Sequence, residues 1–137
     1  MRVRKARPQD VARAVRLAKS LELDYPGLEA DPLWVAEEAG DVIGLVALKT
    51  HPDCLELCAL GVEPSFRRKG IGKALTEALM AEAPGDVHLA TIIPAIFESC
   101  GFRRTSKIPP TFPAKRKTSW CDGCTPELCT VMIRQKP

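Results

Sequence analysis

Within fourteen residues, Val62-Glu63-Pro64-Ser65-Phe66-Arg67-Arg68-Lys69-Gly70-Ile71-Gly72-Lys73-Ala74-Leu75, the chain leaves an apolar strand, crosses a basic turn punctuated by glycine and enters an amphipathic helix. The first N–H groups of a helix lack intrahelical partners and lie at the positive end of its macrodipole, so this strand-turn-helix is a cradle for an anion. Gly70 and Gly72 have no Cβ to hold a phosphate away, and Arg67, Arg68, Lys69 and Lys73 bring positive charge to the turn. A pyrophosphate meets these conditions. Two common phosphate loops do not fit. Aligned on Gly72 and Lys73, a Gly-x-x-x-x-Gly-Lys-Ser/Thr loop would need glycine at Arg67 and a hydroxyl at Ala74. The dinucleotide pattern Gly-x-Gly-x-x-Gly would need a third glycine at Leu75. The plain alternative is a solvated basic turn ahead of an ordinary helix.

Around this unit the hydrophobic pattern predicts the order β-α-β-β-β-α-β-α-β. Arg2 to Ala6 alternates as a short strand, and Pro8-Gln9-Asp10 opens a helix with Val11, Ala14, Val15, Leu17 and Ala18 at helical spacing, broken at Tyr25-Pro26-Gly27. The runs 33–38 and 42–48 flank Ala39-Gly40-Asp41 as a hairpin with a Gly-Asp turn. Cys54 to Val62 makes the third strand of an antiparallel meander. The helix from Gly70 carries Ile71, Ala74, Leu75, Ala78 and Leu79 on one face, stops near Pro84-Gly85 and feeds a strand from Val87 to Ile93, expected beside the third run. Pro94 opens a short helix through Cys100, Gly101-Phe102 begins another strand, and Leu128 to Arg134 closes the sheet after a loop rich in Pro and Lys.

The spacing Arg67-x-x-Gly70-x-Gly72 after a strand ending at Val62 resembles the acyl-CoA motif of the GNAT superfamily of N-acetyltransferases. A second segment, Ile96-Phe97-Glu98-Ser99-Cys100-Gly101-Phe102, is similar to that family's aromatic helix ending in Gly-Phe. Read alone, it is a helix C-cap glycine followed by a core phenylalanine. The resemblance implies an α/β (α+β) fold with a central mixed, mostly antiparallel sheet, splayed at the acetyl-CoA site and flanked by helices. It also implies how acetyl-CoA is held. Backbone groups of Leu60, Gly61 and Val62 pair with the pantetheine amides, Gly61 inviting a bulge that leaves them free. The N–H groups of Arg68, Lys69, Gly70, Ile71, Gly72 and Lys73 take the pyrophosphate, Arg67 either supports the loop or touches the ligand, and Phe97 lies near the thioester.

Acetyl transfer requires a neutral amine, a proton acceptor and a route for the thiolate to leave. Glu56 is the candidate base: it lies six residues before Val62, on the same face by the period-two rule, and several GNAT enzymes place a glutamate there. An outward polar residue of an alternating strand is the plain reading. Many relatives have a tyrosine acid where Phe97 stands; Cys100 or Ser99 would have to donate in its place. Amino-acid N-acetyltransferases, such as the N-acetylglutamate synthase type, often have phenylalanine there too. The resemblance therefore points to transfer from acetyl-CoA onto the primary amine of a small molecule, an amino acid first. A protein or peptide N-acetyltransferase and a non-catalytic acyl-CoA sensor are the alternatives.

With 137 residues, 45% of them hydrophobic, the chain has material for a single domain, 1–137, ending in a cysteine-bearing segment, 118–137. A net charge of +3 with short, separate basic runs argues against nucleic acid as partner. No apolar run has the length of a membrane span and the first residues are charged, so the expectation is a soluble cytoplasmic protein, with a homodimer left open. Cys121, Cys124 and Cys129 have the close spacing of a zinc knuckle without an evident fourth ligand; free thiols or a redox pair are the other readings, and metal is not assigned. His51 and His88 read as loop and strand-surface residues. Lys107, Lys115, Arg116 and Lys117 favour an acceptor bearing a carboxylate, whereas Asp24, Glu29 and Asp31 favour a cationic one.

Overall fold

The computed structural model describes residues 1–115 and 129–137, so Cys121, Cys124 and the basic pair Arg116 and Lys117 lie outside the described residues. The chain packs as two units, Met1–Lys49 with Leu57–Ala83 and Thr50–Glu56 with Pro84–Pro137.

The first unit is built on β1 (Arg2–Lys5), β2 (Leu33–Glu38), β3 (Asp41–Thr50, but for its last residue) and the later part of β4 (Leu55–Val62). β1 and β2 pair antiparallel through Val3↔Ala36, and β2 and β3 through Val35↔Leu45. Leu33 to Ala36 is apolar without alternation because all four side chains are buried, as a strand covered on both faces requires. Two helices belong to this unit, α1 (Val11–Ser20) and α2 (Ile71–Glu82). Ile71, Leu75 and Leu79, one helical turn apart, form the buried stripe of α2, which packs on β1 and β2; Trp34, Leu45, Leu75 and Leu79 are all but inaccessible to solvent. Each such side chain contributes roughly 1.5–3 kcal/mol of transfer free energy. At the N-terminus, Arg4 donates to both Asp10 oxygens (2.6 and 3.2 Å) and to Glu37 (2.9 Å), while Asp10 also accepts the Arg7 N–H at 2.7 Å. The Arg4 hydrogen bond holds the Asp10 carboxyl well below the usual carboxylate range.

Three local expectations change. The hairpin turns on Ala39 and Gly40, both left-handed (φ +50° and +85°) and closed by the pair Glu38↔Asp41, rather than on Gly-Asp; this is a primed turn with alanine where glycine or asparagine is usual. α1 ends at Ser20 instead of reaching Tyr25, because Glu22 turns left-handed (φ +57°) and the Leu23 N–H closes back on Ala18 O at 2.8 Å, a Schellman-type cap without its glycine. In β4 the irregular residue is Ala59 (φ +55°), not Gly61. Gly61 is small for another reason: a Cβ there would stand 2.5 Å from Leu23 Cδ1 and 2.8 Å from Leu21 Cδ1, the two leucines the early helix end releases.

The second unit contains the start of β4, then β5 (Val87–Thr91), α3 (Pro94–Glu98), β6 (Arg103–Arg104), α4 (Thr111–Lys115) and β7 (Thr130–Arg134). β5 lies beside β4, as expected, and runs parallel to it through Leu55↔Val87 and Glu56↔His88; it is antiparallel to β7, which pairs antiparallel with β6. The strand pairings are thus mixed and mostly antiparallel. The strands are shorter than the apolar runs suggest, β5 ending at Thr91 where the Ile93 N–H bonds the Thr91 hydroxyl. α4 interrupts what the sequence offers only as a Pro- and Lys-rich loop. None of the described helices is long and apolar enough to cross a membrane.

Candidate active site

Past Val62 the pairing of β4 with β3 lasts one residue more, Glu63 N–H donating to Ile43 O at 2.8 Å, before a 3-10 turn at Pro64–Phe66. Arg67 Nε then donates to Val62 O at 3.0 Å. That bond ties the loop to the strand end. Arg68 (φ +66°) and Gly70 (φ +75°) are both left-handed and curl the backbone into the start of α2. Ala74 N–H closes the first helical turn on Gly70 O at 3.0 Å, so the N–H groups of Ile71, Gly72 and Lys73 precede the helical ladder. Arg68, Lys69 and Lys73 are exposed, with the Lys69 ammonium 5.4 Å from the Phe66 ring centroid.

The two loop glycines have different causes. Gly70 answers to its left-handed backbone. Gly72 does not, and a Cβ built on it meets nothing within 4 Å. Free space at the mouth of a helix N-terminus, beside three exposed cations, is what a phosphate requires. Leu60, Gly61 and Val62, the residues expected along the pantetheine, are half-buried. Because Ala59 is left-handed, the period-two count from Glu56 to Val62 does not carry through β4, and the same-face argument made from the sequence falls.

In the second unit Glu56 is 4% exposed, and its Oε1 lies 2.7 Å from His51 Nε2. Glu56 is therefore not the outward polar residue of an alternating strand, and His51 is not a plain loop residue. The loop carrying His51 is held twice. His51 N–H donates to Cys54 O at 2.8 Å, and Asp53 accepts both the backbone N–H and the hydroxyl of Thr111 at the head of α4. Those bonds from Thr111 hold the Asp53 carboxyl below the usual carboxylate range. Phe112, next on α4, sets its ring 6.3 Å from His88, and burial pushes the His88 imidazole below its ordinary value against the pull of Asp86 and Asp53. His88 Nδ1 is buried and has no hydrogen-bond partner among the described residues.

Register places Glu56, His88, Ile133 and Arg103 side by side across β4, β5, β7 and β6, one row with side chains on one face of the sheet. A cleft of about 680 Å³ opens over the His88, Ile133 and Arg103 part of that row, with Asp53, Arg104 and Lys107 also in its lining; Glu56 is not one of its lining residues. Phe97 packs edge-on against Phe102 at 6.2 Å, a core contact. Ser99 gives its hydroxyl to Ile96 O, and Cys100 is buried. Asp31 is engaged by the Tyr25 hydroxyl and Lys49, which weakens the case for a cationic acceptor. No group of three metal-ligating side chains occurs among the described residues, and Cys129 is a half-buried free thiol.

The model of the acetyltransferase (GNAT) domain matches residues 29–104. Among curated proteins, N-acetylaspartate synthetase of Danio rerio is 33% identical, the match covering 54% of this chain and 30% of that protein. The chain thus spans about a third of the length of that relative. Among solved structures, N-acetylglutamate synthase from Neisseria gonorrhoeae, complexed with coenzyme A and N-acetyl-glutamate, superposes with a TM-score of 0.76 at 19% identity, over 99% of this chain and 35% of that one. A Mycobacterium tuberculosis protein in complex with CoA gives 0.73 at 21% identity, over 98% of this chain and 99% of that one.

Proposed function

Because the chain belongs to the GNAT acetyltransferase family, we propose that it moves the acetyl group of acetyl-CoA directly onto the primary amine of a small amino acid, with Glu56 as the base. The observation that carries the donor half is the loop from Arg67 to Lys73, where a glycine with no role in the fold leaves open space at a helix N-terminus. The N–H groups of Arg68 to Lys73 bind the pyrophosphate, Arg67 holds the loop to Val62, and the backbone of Leu60, Gly61 and Val62 takes the pantetheine amides. Acetyl-CoA supplies an activated acyl carbon and a thiolate leaving group. Glu56 accepts the proton that the amine sheds as its nitrogen bonds to that carbon and the C–S bond breaks. An ordinary thiol pKa of about 8.5 lets the thiolate depart without a tyrosine acid, in keeping with Phe97.

Support for an acceptor bearing a carboxylate is the cleft lined by His88, the register partner of Glu56, and by Ile133, whose rim carries Arg103, Arg104 and Lys107. The relatives named for N-acetylaspartate and N-acetylglutamate synthesis agree with that choice. Free thiols at Cys100 and Cys129 suit a reducing compartment, and we place the protein in the cytoplasm. The test is release of CoA thiol from acetyl-CoA with a panel of amino acids, polyamines and peptides. Turnover with acidic or neutral amino acids supports the reading; turnover with polyamines or peptides alone overturns the acceptor class. Binding of acetyl-CoA without thiol release for any acceptor makes the chain a sensor instead.

A further inference from the structure

A base that is 4% exposed cannot return its proton directly to solvent. His51 sets its Nε2 2.7 Å from the Glu56 oxygen, and 12% of its own side-chain surface is accessible. We propose that His51 is a positioning residue for Glu56 and the outlet for the proton Glu56 abstracts, an inference that rests on Glu56 being the base. The steps balance. Glu56, having taken the amine proton, is a neutral carboxylic acid; its O–H bond breaks as an Nε2–H bond forms on the neutral imidazole. Glu56 is again a carboxylate, His51 is an imidazolium, and the proton on Nδ1 leaves to water. An imidazole suits this task because its ordinary pKa of about 6.5 lies between those of a carboxyl and an amine.

The neighbouring groups are acidic or neutral. Asp53, two residues on, is ionised and fixed by Thr111, which holds the loop that aims the ring. Just before β5, Asp86 adds negative charge, and His88, next to Glu56 across the ladder, is held toward its neutral form by burial and brings no competing cation.

The experiment compares the full chain with His51→Gln and His51→Ala, following turnover against pH. Glutamine can still donate a hydrogen bond to Glu56 but cannot titrate. Loss of the outlet lowers kcat by roughly 10²-fold in both variants, leaves the KM for acetyl-CoA within about twofold, and removes an inflection from the pH profile; added imidazole restores His51→Ala in part. His51→Gln with wild-type turnover and pH profile overturns the proposal. Undiminished turnover in Glu56→Gln is a separate result, which removes the base reading beneath it. A readout independent of turnover is the His51 ring nitrogen titration by NMR in wild type and Glu56→Gln: the pair requires it to shift, and an unchanged titration overturns the coupling.

Discussion

Gly72 and Glu56 are the residues whose chemistry the fold alone does not explain. Alanine at Gly72 meets no atom and has the better helix propensity, so Gly72→Ala should melt no lower than wild type, the gain reaching at most about 1 kcal/mol. Its cost appears in the ligand: calorimetry should find acetyl-CoA bound at least about tenfold more weakly, since a methyl group then stands at the helix mouth where phosphate belongs. Equal affinity would mean that the loop is an ordinary turn. Glu56→Gln separates binding from chemistry in the opposite sense. Acetyl-CoA affinity should hold, while turnover falls by about 10²-fold or more, as for loss of a general base. The partner of that carboxylate was not legible in the sequence. His51 lies five residues before Glu56 in a His-Pro-Asp turn, and what aims it is Asp53 bonded to Thr111, fifty-eight residues away.

At the scale of elements, the strand-turn-helix from Val62 to Leu75 could be read directly, because a change of hydrophobic period, two glycines and a basic run all point the same way. The placing of β5 beside β4 followed from the same order of elements. Ends and irregularities were less legible wherever a left-handed residue is not glycine. Glu22 stops α1 early, Ala59 breaks the alternation of β4, and Ala39 shifts the hairpin turn by one residue. Local propensity argues against each of them, and tertiary contacts impose them: Leu21 and Leu23 reach Gly61 only because α1 ends where it does. α4 was missed because Pro113 sits inside it and its N-terminus is capped from a distant loop. One of these strained positions lies in an exposed turn and can be relieved. Ala39→Asn should raise stability by about 1 kcal/mol, read as a higher urea midpoint with an unchanged slope, because asparagine tolerates the left-handed conformation that primed turns demand.

For the molecule as a whole, acid sensitivity should trace in part to the N-terminal network. The Asp10 carboxyl is depressed by its hydrogen bond from Arg4, so the stability it contributes is complete above the ordinary carboxylate pKa of about 3.9 and is lost as pH falls below it. Urea midpoints taken from about pH 6 down to about pH 2 should fall less steeply for Asp10→Asn than for wild type, although the variant starts lower at neutral pH. Parallel curves would mean that other carboxylates control acid unfolding. Beside that network Trp34 is 2% exposed, donates its indole N–H to Glu82 of α2 and lies under the Lys5 ammonium. Of the two tryptophans in the chain, Trp120 can be replaced by phenylalanine to leave a single fluorophore on β2. Its emission should move to the red when the first unit opens and water reaches the indole, so a plain fluorimeter can time the loss of the layer that supports the cradle.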